Sequence, residues 1–171
     1  MKFTTVATVF LAAGAQAQTS VISGVISGLA DKTGALDDTV RMLDLDAFTK
    51  GCDDIVADML KGATTIQGSS GIGAGDVISL TTSFSSLANK GLILFGDLKA
   101  KRDVVQNANA CDLIRTKLGN FNKDSKPLID AFLSKVPSLA QSSAKGLVNK
   151  VLAVLDQAID DFSEKNCKNL A

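Results

Sequence analysis

The chain has 171 residues, 46% of them hydrophobic, and its 18 basic residues balance 18 acidic ones. Because there is no basic excess, the charge balance argues against nucleic acid and anionic membrane surfaces as electrostatic partners. The sequence contains no His, Trp or Tyr, which removes the commonest general base and metal ligand. Ser-His-Asp and Cys-His catalysis are therefore excluded, and we expect no enzyme, no cofactor and no metal site.

Residues 1–17 have the pattern of a secretory signal peptide. Lys2 gives a short positive region, residues 6–13 are apolar, and Ala15-Gln16-Ala17 is a small-residue cleavage motif. No later segment has the roughly 18 uninterrupted apolar residues of a membrane span. We therefore expect a secreted, extracellular protein without a transmembrane segment, whose mature part is a single domain over residues 18–171.

From Ile22 to Phe162, apolar residues recur alternately four and three positions apart, which is typical of amphipathic helices. A first helix is predicted over about 20–43, weakened by three glycines. A second begins at a cap provided by Asp44 or Asp46. The glycine-rich stretch 68–75 predicts a loop, since it has neither the preceding strand nor the Lys-Ser/Thr pair of a phosphate-binding loop. The many aspartates over 37–58 are interpreted as a solvated face rather than a calcium site.

A third helix is predicted after a cap at Asp76, and four consecutive apolar residues, 92–95, indicate that it is central and enclosed. A fourth runs from about residue 110 to 135, where Pro127 should kink it or restart it at Ser125 and Pro137 should end it. A fifth is predicted over about 141–164. The fold class is therefore all-α, a single five-helix, up-and-down bundle after a cleaved signal peptide.

Three cysteines allow at most one internal bridge. If the fourth and fifth helices form an antiparallel pair that turns near Pro137, Cys111 and Cys167 lie at similar distances from the turn. We therefore predict a disulfide between Cys111 and Cys167, with Cys52 free in the buried stripe of the second helix.

The predicted interior mixes large apolar residues with small or polar ones, so close packing and a ligand cavity both stay open. The small or polar interior positions are Thr33, Gly62, Thr81, Gly91, Ser125 and Ala158. If there is a cavity, its lining is predicted from the most enclosed positions of the last three helices: Phe84, Leu87, Leu94, Phe95, Phe132, Leu152 and Leu155.

The segments Ser125-Lys-Pro-Leu-Ile-Asp-Ala-Phe-Leu-Ser-Lys-Val-Pro137 and Leu147-Val-Asn-Lys-Val-Leu-Ala-Val-Leu-Asp-Gln-Ala-Ile-Asp-Asp-Phe162 resemble the C-terminal half of the fungal hydrophobic surface binding protein A family. That family includes the ligand-binding domains of the cell-wall mannoproteins of pathogenic moulds. The likeness extends to the leader, the first two helices and the Gly-Ser loop. The chain differs in its three cysteines and in lacking both a Ser/Thr-rich tail and an Asn-x-Ser/Thr sequon.

The resemblance implies a secreted fungal protein that binds hydrophobic surfaces, a fatty acid or similar lipid between its helices, or both. Expected partners are an apolar ligand or surface, and a secreted hydrolase or host protein. The expected location is extracellular or cell-wall associated without a covalent anchor. Adsorption is expected to proceed by detachment of the glycine-weakened first helix. The alternative function is a secreted protein-interaction module, an effector or adaptor with a solidly packed bundle.

Overall fold

The computed structural model describes the backbone of residues 7–170 and the side chains of residues 18–170. Within this part there is no strand, which confirms the all-α class. The helices are α1 (Ala7–Met42), α2 (Leu45–Gln67), α3 (Ala74–Ser79), α4 (Thr81–Ala100), α5 (Arg102–Asn107), α6 (Cys111–Lys135), a 3₁₀ helix (Ser138–Ala140) and α7 (Gln141–Asp161). The predicted count of five is wrong, because two short helices, α3 and α5, accompany the five long ones.

Residues 1–6 of the predicted leader lie outside the described residues, and the backbone of residues 7–17 forms the first part of α1. No helix within residues 7–170 combines the length and the apolar character needed to cross a bilayer.

Local side-chain contacts explain where α2 and α3 begin. The carboxylate of Asp44 caps α2 by accepting a hydrogen bond from the Ala47 N–H at 2.9 Å. Asp76 lies inside α3 instead of preceding it, and its carboxylate accepts from the Gly73 N–H at 2.7 Å. A turn at the buried Leu80 then separates α3 from α4. The predicted third helix is thus two helices.

Helix α6 is continuous through Pro127, which neither ends nor restarts it. Proline removes one N–H from the helical ladder, and the carbonyl left without its donor is that of Lys123. Pro127 and Lys123 are both exposed, so water can solvate this carbonyl. Beyond Lys135 the backbone becomes extended at Val136, and Pro137 follows.

The five long helices form a closed ring in the spatial order α1, α2, α6, α7, α4. Side-chain pairs show which neighbours run parallel. The Lys117 ammonium lies 2.6 Å from the Asp53 carboxylate near the starts of α6 and α2. Near their ends, Lys135 donates to the Gln67 carbonyl at 2.7 Å. Helices α2 and α6 are therefore parallel, although the chain reverses direction at every long connection.

Helix α4 is likewise parallel to both of its neighbours. Lys99 pairs with Asp161 at 2.7 Å near the C-terminal ends of α4 and α7. The Ser23 and Ser83 hydroxyls of α1 and α4 lie 2.8 Å apart. The long helices thus alternate in direction, but sequence neighbours do not all lie side by side, since α4 is adjacent to neither α2 nor α6. The bundle has one layer of α2, α1 and α4, and a second layer that is the antiparallel α6–α7 hairpin.

The α6–α7 hairpin is joined at both ends. The connection through the 3₁₀ helix closes one end, and a disulfide between Cys111 and Cys167, with their Cα atoms 5.6 Å apart, closes the other. Cys52 is a buried free thiol in α2. Burial raises its pKa to about 12, so it is protonated at neutral pH.

Two predictions about which residues are interior, the enclosure of residues 92–95 and the burial of Thr81, are wrong. Leu92 and Ile93 are 51% and 47% exposed, so α4 is part of the wall and not a central, enclosed helix. Four consecutive apolar residues cover the full circumference of a helix, and of the four only Leu94 and Phe95 face the interior of the ring. Thr81 is exposed as well, because it is the first residue of α4 and lies at the end of the bundle.

Candidate functional site

Two adjoining cavities of about 80 Å³ each lie inside the ring, between the three-helix layer and the α6–α7 hairpin. We call them the first and second cavities. Four residues line both and so form the boundary between them: Met59, Leu87, Val151 and Leu155. The rest of the first cavity is lined by Ile26, Leu29, Phe84, Ser125, Leu128, Ile129, Phe132, Val148 and Leu152. The rest of the second is lined by Thr33, Ile55, Ala88, Gly91, Leu94, Phe95, Phe121 and Val154.

The lining is almost entirely apolar. Its two hydroxyl groups are bonded within their own helices: Ser125 donates to the Asn122 carbonyl at 3.1 Å, and Thr33 donates to the Leu29 carbonyl at 2.8 Å. None of the described residues that line either cavity carries an ionisable group. The space can therefore accept an apolar group without leaving a buried polar atom unpaired, and it offers no acid, base or nucleophile for a reaction.

Small and flexible residues keep this space open. Gly91 is buried in the wall of the second cavity, and a Cβ atom there would lie 3.3 Å from Cγ1 of Val154. Met59 lies at the boundary between the cavities, and its unbranched side chain can change conformation at little cost. The two cavities are therefore separated by side chains that can move, not by backbone.

All seven residues predicted as lining face the two cavities. Phe84, Phe132 and Leu152 line the first, Leu94 and Phe95 line the second, and Leu87 and Leu155 line both. The predicted lining did not include the residues of α1 and α2, namely Ile26, Leu29, Thr33, Ile55 and Met59. The apolar stripes of α1 and α2 contained the signal, but the stripes do not say which helices face one another across the ring.

The other predicted polar features form no second site. In the glycine-rich segment, the Asp76 carboxylate occupies the Gly73 N–H that an anion would need. In the part of the chain that the structure describes, no three His, Cys, Asp or Glu residues are close enough to hold a metal ion. Four aspartates of α1 and α2 pair with cations, namely Asp37, Asp53, Asp54 and Asp58.

One carboxylate of this acidic group is buried. Asp37 of α1 pairs with Arg41 at 2.7 Å, and Arg41 also contacts Asp97 of α4 at 2.9 Å. Burial, with a further contribution from the charge of Asp97, raises the pKa of Asp37 above its usual value. This cluster lies at the C-terminal ends of α1 and α4, where it links the two helices, and it is not part of the cavity lining.

Comparison with known proteins agrees with this architecture. The chain is 25% identical over 143 residues to cell wall mannoprotein 1 of Aspergillus flavus; the match covers 82% of this chain and 52% of that protein, so the chain spans about half the length of this relative. Ligand binding domain 1 of the Penicillium marneffei MP1 protein, solved with arachidonic acids, has a TM-score of 0.79 at 15% identity, over 85% of this chain and 99% of that domain.

A second solved structure, Afmp4p in complex with palmitic acid, has a TM-score of 0.66 at 19% identity, over 89% of this chain and 99% of that one. At these identities the two structures show that the fold is shared. The family model for hydrophobic surface binding protein A matches residues 19–134. Since this match covers more than half of the chain, the protein is a member of the hydrophobic surface binding protein A family.

Proposed function

We propose that the protein binds the acyl chain of a fatty acid or similar lipid in the two adjoining cavities, without catalysing a reaction. The observation that carries this proposal is an apolar space inside the ring whose two hydroxyl groups are already bonded within their own helices. The solved relatives in complex with arachidonic and palmitic acids support the same ligand class.

The driving force is transfer of methylene groups from water to the lining, worth about 0.8 kcal/mol for each buried CH₂ before the cost of ordering the ligand. Each cavity alone, at about 80 Å³, holds only part of a long acyl chain. A long chain therefore occupies both cavities, and we expect the boundary side chains, Met59 above all, to move as it enters.

The direct test compares two substitutions on the same helix. Phe95→Asp places a carboxylate in the second cavity, and we expect it to abolish binding of a fluorescent fatty acid. Ile93→Asp makes the same chemical change two residues earlier, at a position that is 47% exposed, and should leave affinity unchanged. Circular dichroism establishes that both variants are folded. Equal affinity in the wild type and in folded Phe95→Asp would refute the proposal.

The second proposed activity is adsorption to hydrophobic surfaces. It is supported by membership in a family described as hydrophobic surface binding. Binding of the purified protein to alkyl-coated beads, measured by its depletion from solution, tests this activity independently of fatty-acid binding. A protein that stays in solution would not have it.

Export is proposed from the leader-like residues 1–17 and from the likeness to a cell wall mannoprotein. The protein then acts outside the cell or in the cell wall, and a secreted hydrolase or host protein remains a proposed partner. Mass spectrometry of the protein secreted by its native host should show an N-terminus at Gln18. An intact Met1 on the exported protein would contradict cleavage of a leader.

The alternative function, a protein-interaction module, requires an interior that takes no ligand. Organic extraction of the secreted protein followed by mass spectrometry distinguishes the two. A stoichiometric fatty acid or related lipid supports lipid binding. Its absence, together with no binding of added fatty acid, supports the interaction module.

A further inference from the structure

Charge is distributed unevenly along the long axis of the bundle. At one end lie residues 18–30 of α1, residues 62–89 from late α2 to mid α4, and residues 136–144 around the 3₁₀ helix. In these three ranges the only charged residue is Asp76. We call this the uncharged end.

Contacts hold the three ranges together. The Ser70 N–H donates to Oε1 of Gln18 at 3.1 Å, and the Ile72 N–H donates at 2.9 Å to the carbonyl of Lys135, the residue that precedes the third range. Helix α3 also contacts α1, α7 and the 3₁₀ helix. The uncharged end is therefore a continuous surface formed by segments distant in sequence.

The opposite end of the bundle is rich in charge. It carries the C-terminal ends of α1, α4 and α7 and the start of α6. The charged residues at this end include Arg41, Asp44, Asp97, Lys99, Lys101, Arg102, Asp103, Asp112, Asp161 and Lys168.

Two large apolar side chains project into water at the uncharged end. Ile78 of α3 is 75% exposed and Leu139 of the 3₁₀ helix is 89% exposed. Their two helices are in contact. Asp76, the only charged residue within the three ranges, has its carboxylate bonded to the Gly73 N–H. At the rim, the Lys135 ammonium donates a hydrogen bond to the Gln67 carbonyl.

We propose that the protein adsorbs to apolar solids with its uncharged end, as a closed bundle, with Ile78 and Leu139 in contact with the surface. The proposal rests on the surface-binding activity proposed above and names the face responsible. An apolar solid removes water from whatever touches it, and a charged side chain loses far more solvation than a hydroxyl or a methyl group. The charge-rich end therefore loses more solvation on contact with the solid than the uncharged end does.

The glycines of α1 led to the expectation that this helix detaches on adsorption. Adsorption through the uncharged end does not require that detachment. The N-terminal part of α1 at this end places Ile22, Ile26 and Leu29 in the core, each no more than 3% exposed. Helix α1 also makes the most extensive contact in the ring, with α4. The glycines lower the intrinsic helix propensity of α1, but the packing of this helix against two neighbours compensates.

The test uses two double variants with the same change in charge. In Ile78→Asp/Leu139→Asp, both carboxylates lie at the uncharged end. In the matched control, Met42→Asp/Leu170→Asp, they replace apolar residues that are 70% and 54% exposed at the charged end. All four positions are on the surface, so both proteins should fold with wild-type helix content.

Adsorption isotherms on alkyl-coated beads should show about a tenfold or larger loss of affinity for Ile78→Asp/Leu139→Asp and little change for the control. Fatty-acid affinity should be unchanged in both. A wild type that fails to adsorb would overturn the surface activity itself. A wild type that adsorbs, with two variants that adsorb equally well, would overturn only the choice of face.

A second measurement follows orientation directly. Leu139→Cys and Met42→Cys, each labelled with an environment-sensitive dye, report the polarity at the two ends; a blue shift on beads at residue 139 alone supports the proposal. A blue shift at residue 42 alone, or at both residues, overturns it. If sedimentation shows that the wild type is a dimer which Ile78→Asp/Leu139→Asp dissociates, the uncharged end binds a second copy and the proposal is wrong.

Discussion

The rings of Phe84 and Phe132 meet across the interior of the bundle, with centroids 5.0 Å apart and planes inclined by 40°. Phe84 belongs to α4 and Phe132 to α6, which are not neighbours in the ring. The pair therefore links the three-helix layer to the α6–α7 hairpin directly, at the wall of the first cavity.

Removing either ring should weaken this link. We expect Phe84→Ala and Phe132→Ala each to lower the free energy of unfolding by about 3–5 kcal/mol, measured with urea. Because the two rings touch, the double variant should lose about 0.5–1.5 kcal/mol less than the sum of the single losses. Strictly additive losses would show that the contact contributes nothing beyond the burial of each ring.

A methyl group at Gly91 should cost ligand affinity. Gly91→Ala places a Cβ atom 3.3 Å from Val154 in the second cavity and displaces about one methylene of ligand, which predicts roughly fourfold weaker fatty-acid binding. Gly96→Ala is the control, since no atom lies within 4 Å of the added Cβ. The control should bind normally and gain about 1 kcal/mol of helix stability. Equal affinities in the two variants would place the ligand elsewhere.

The disulfide should stabilise the fold by restricting the unfolded chain. Cys111 and Cys167 are 56 residues apart, for which the loop-entropy relation gives about 4 kcal/mol. We expect Cys111→Ser/Cys167→Ser to lose up to this amount in chemical denaturation and to become insensitive to reductant. Cys52→Ala should keep the sensitivity of the wild type to reductant, because its thiol takes no part in the bridge.

The contributions of Asp37 and Asp54 to the free energy of unfolding should change with pH in opposite directions. The pKa of Asp37 is raised, chiefly by burial, so its ionised form disfavours the folded state at pH 7 and this cost disappears as the pH falls. Asp37→Asn should therefore be more stable than the wild type at pH 7, with the advantage vanishing below the usual carboxyl pKa.

The matched control is Asp54→Asn. A hydrogen bond from Lys50 lowers the pKa of Asp54, so its ionised form favours the folded state above the usual pKa. This variant should be less stable than the wild type at neutral pH and equal to it in acid. Urea denaturation at several pH values measures both differences, and two curves with the same sign would contradict the assignment for Asp37.

Local signals predicted the long helices well, and the arrangement of the helices poorly. Asp44, one of the two predicted caps, caps α2, because a cap depends only on residues a few positions away. The apolar stripes identified the inward faces. The order of the helices in the ring depends on which apolar stripes pack against one another. No local pattern predicts that α6 lies beside α2.

The same limit explains the partial view of the cavity lining. The run of four apolar residues does not by itself distinguish Leu94 and Phe95, which line the second cavity, from Leu92 and Ile93, which are exposed. The packing of α4 in the wall makes that distinction. Met59 was missed because its position at the boundary of two cavities depends on α4 and α7.

The spatial order of the helices has a consequence for how the protein is made. Helix α6 must insert beside α2, and α7 must close the ring against α4, which joins segments far apart in the chain. During synthesis, α1, α2 and α4 emerge first, and their cavity-lining side chains lack the opposing layer until the final hairpin arrives. Such long-range closure slows folding. The α6–α7 hairpin therefore converts an exposed apolar layer into an enclosed binding space. Until it forms, the nascent chain exposes an apolar surface that is prone to aggregation.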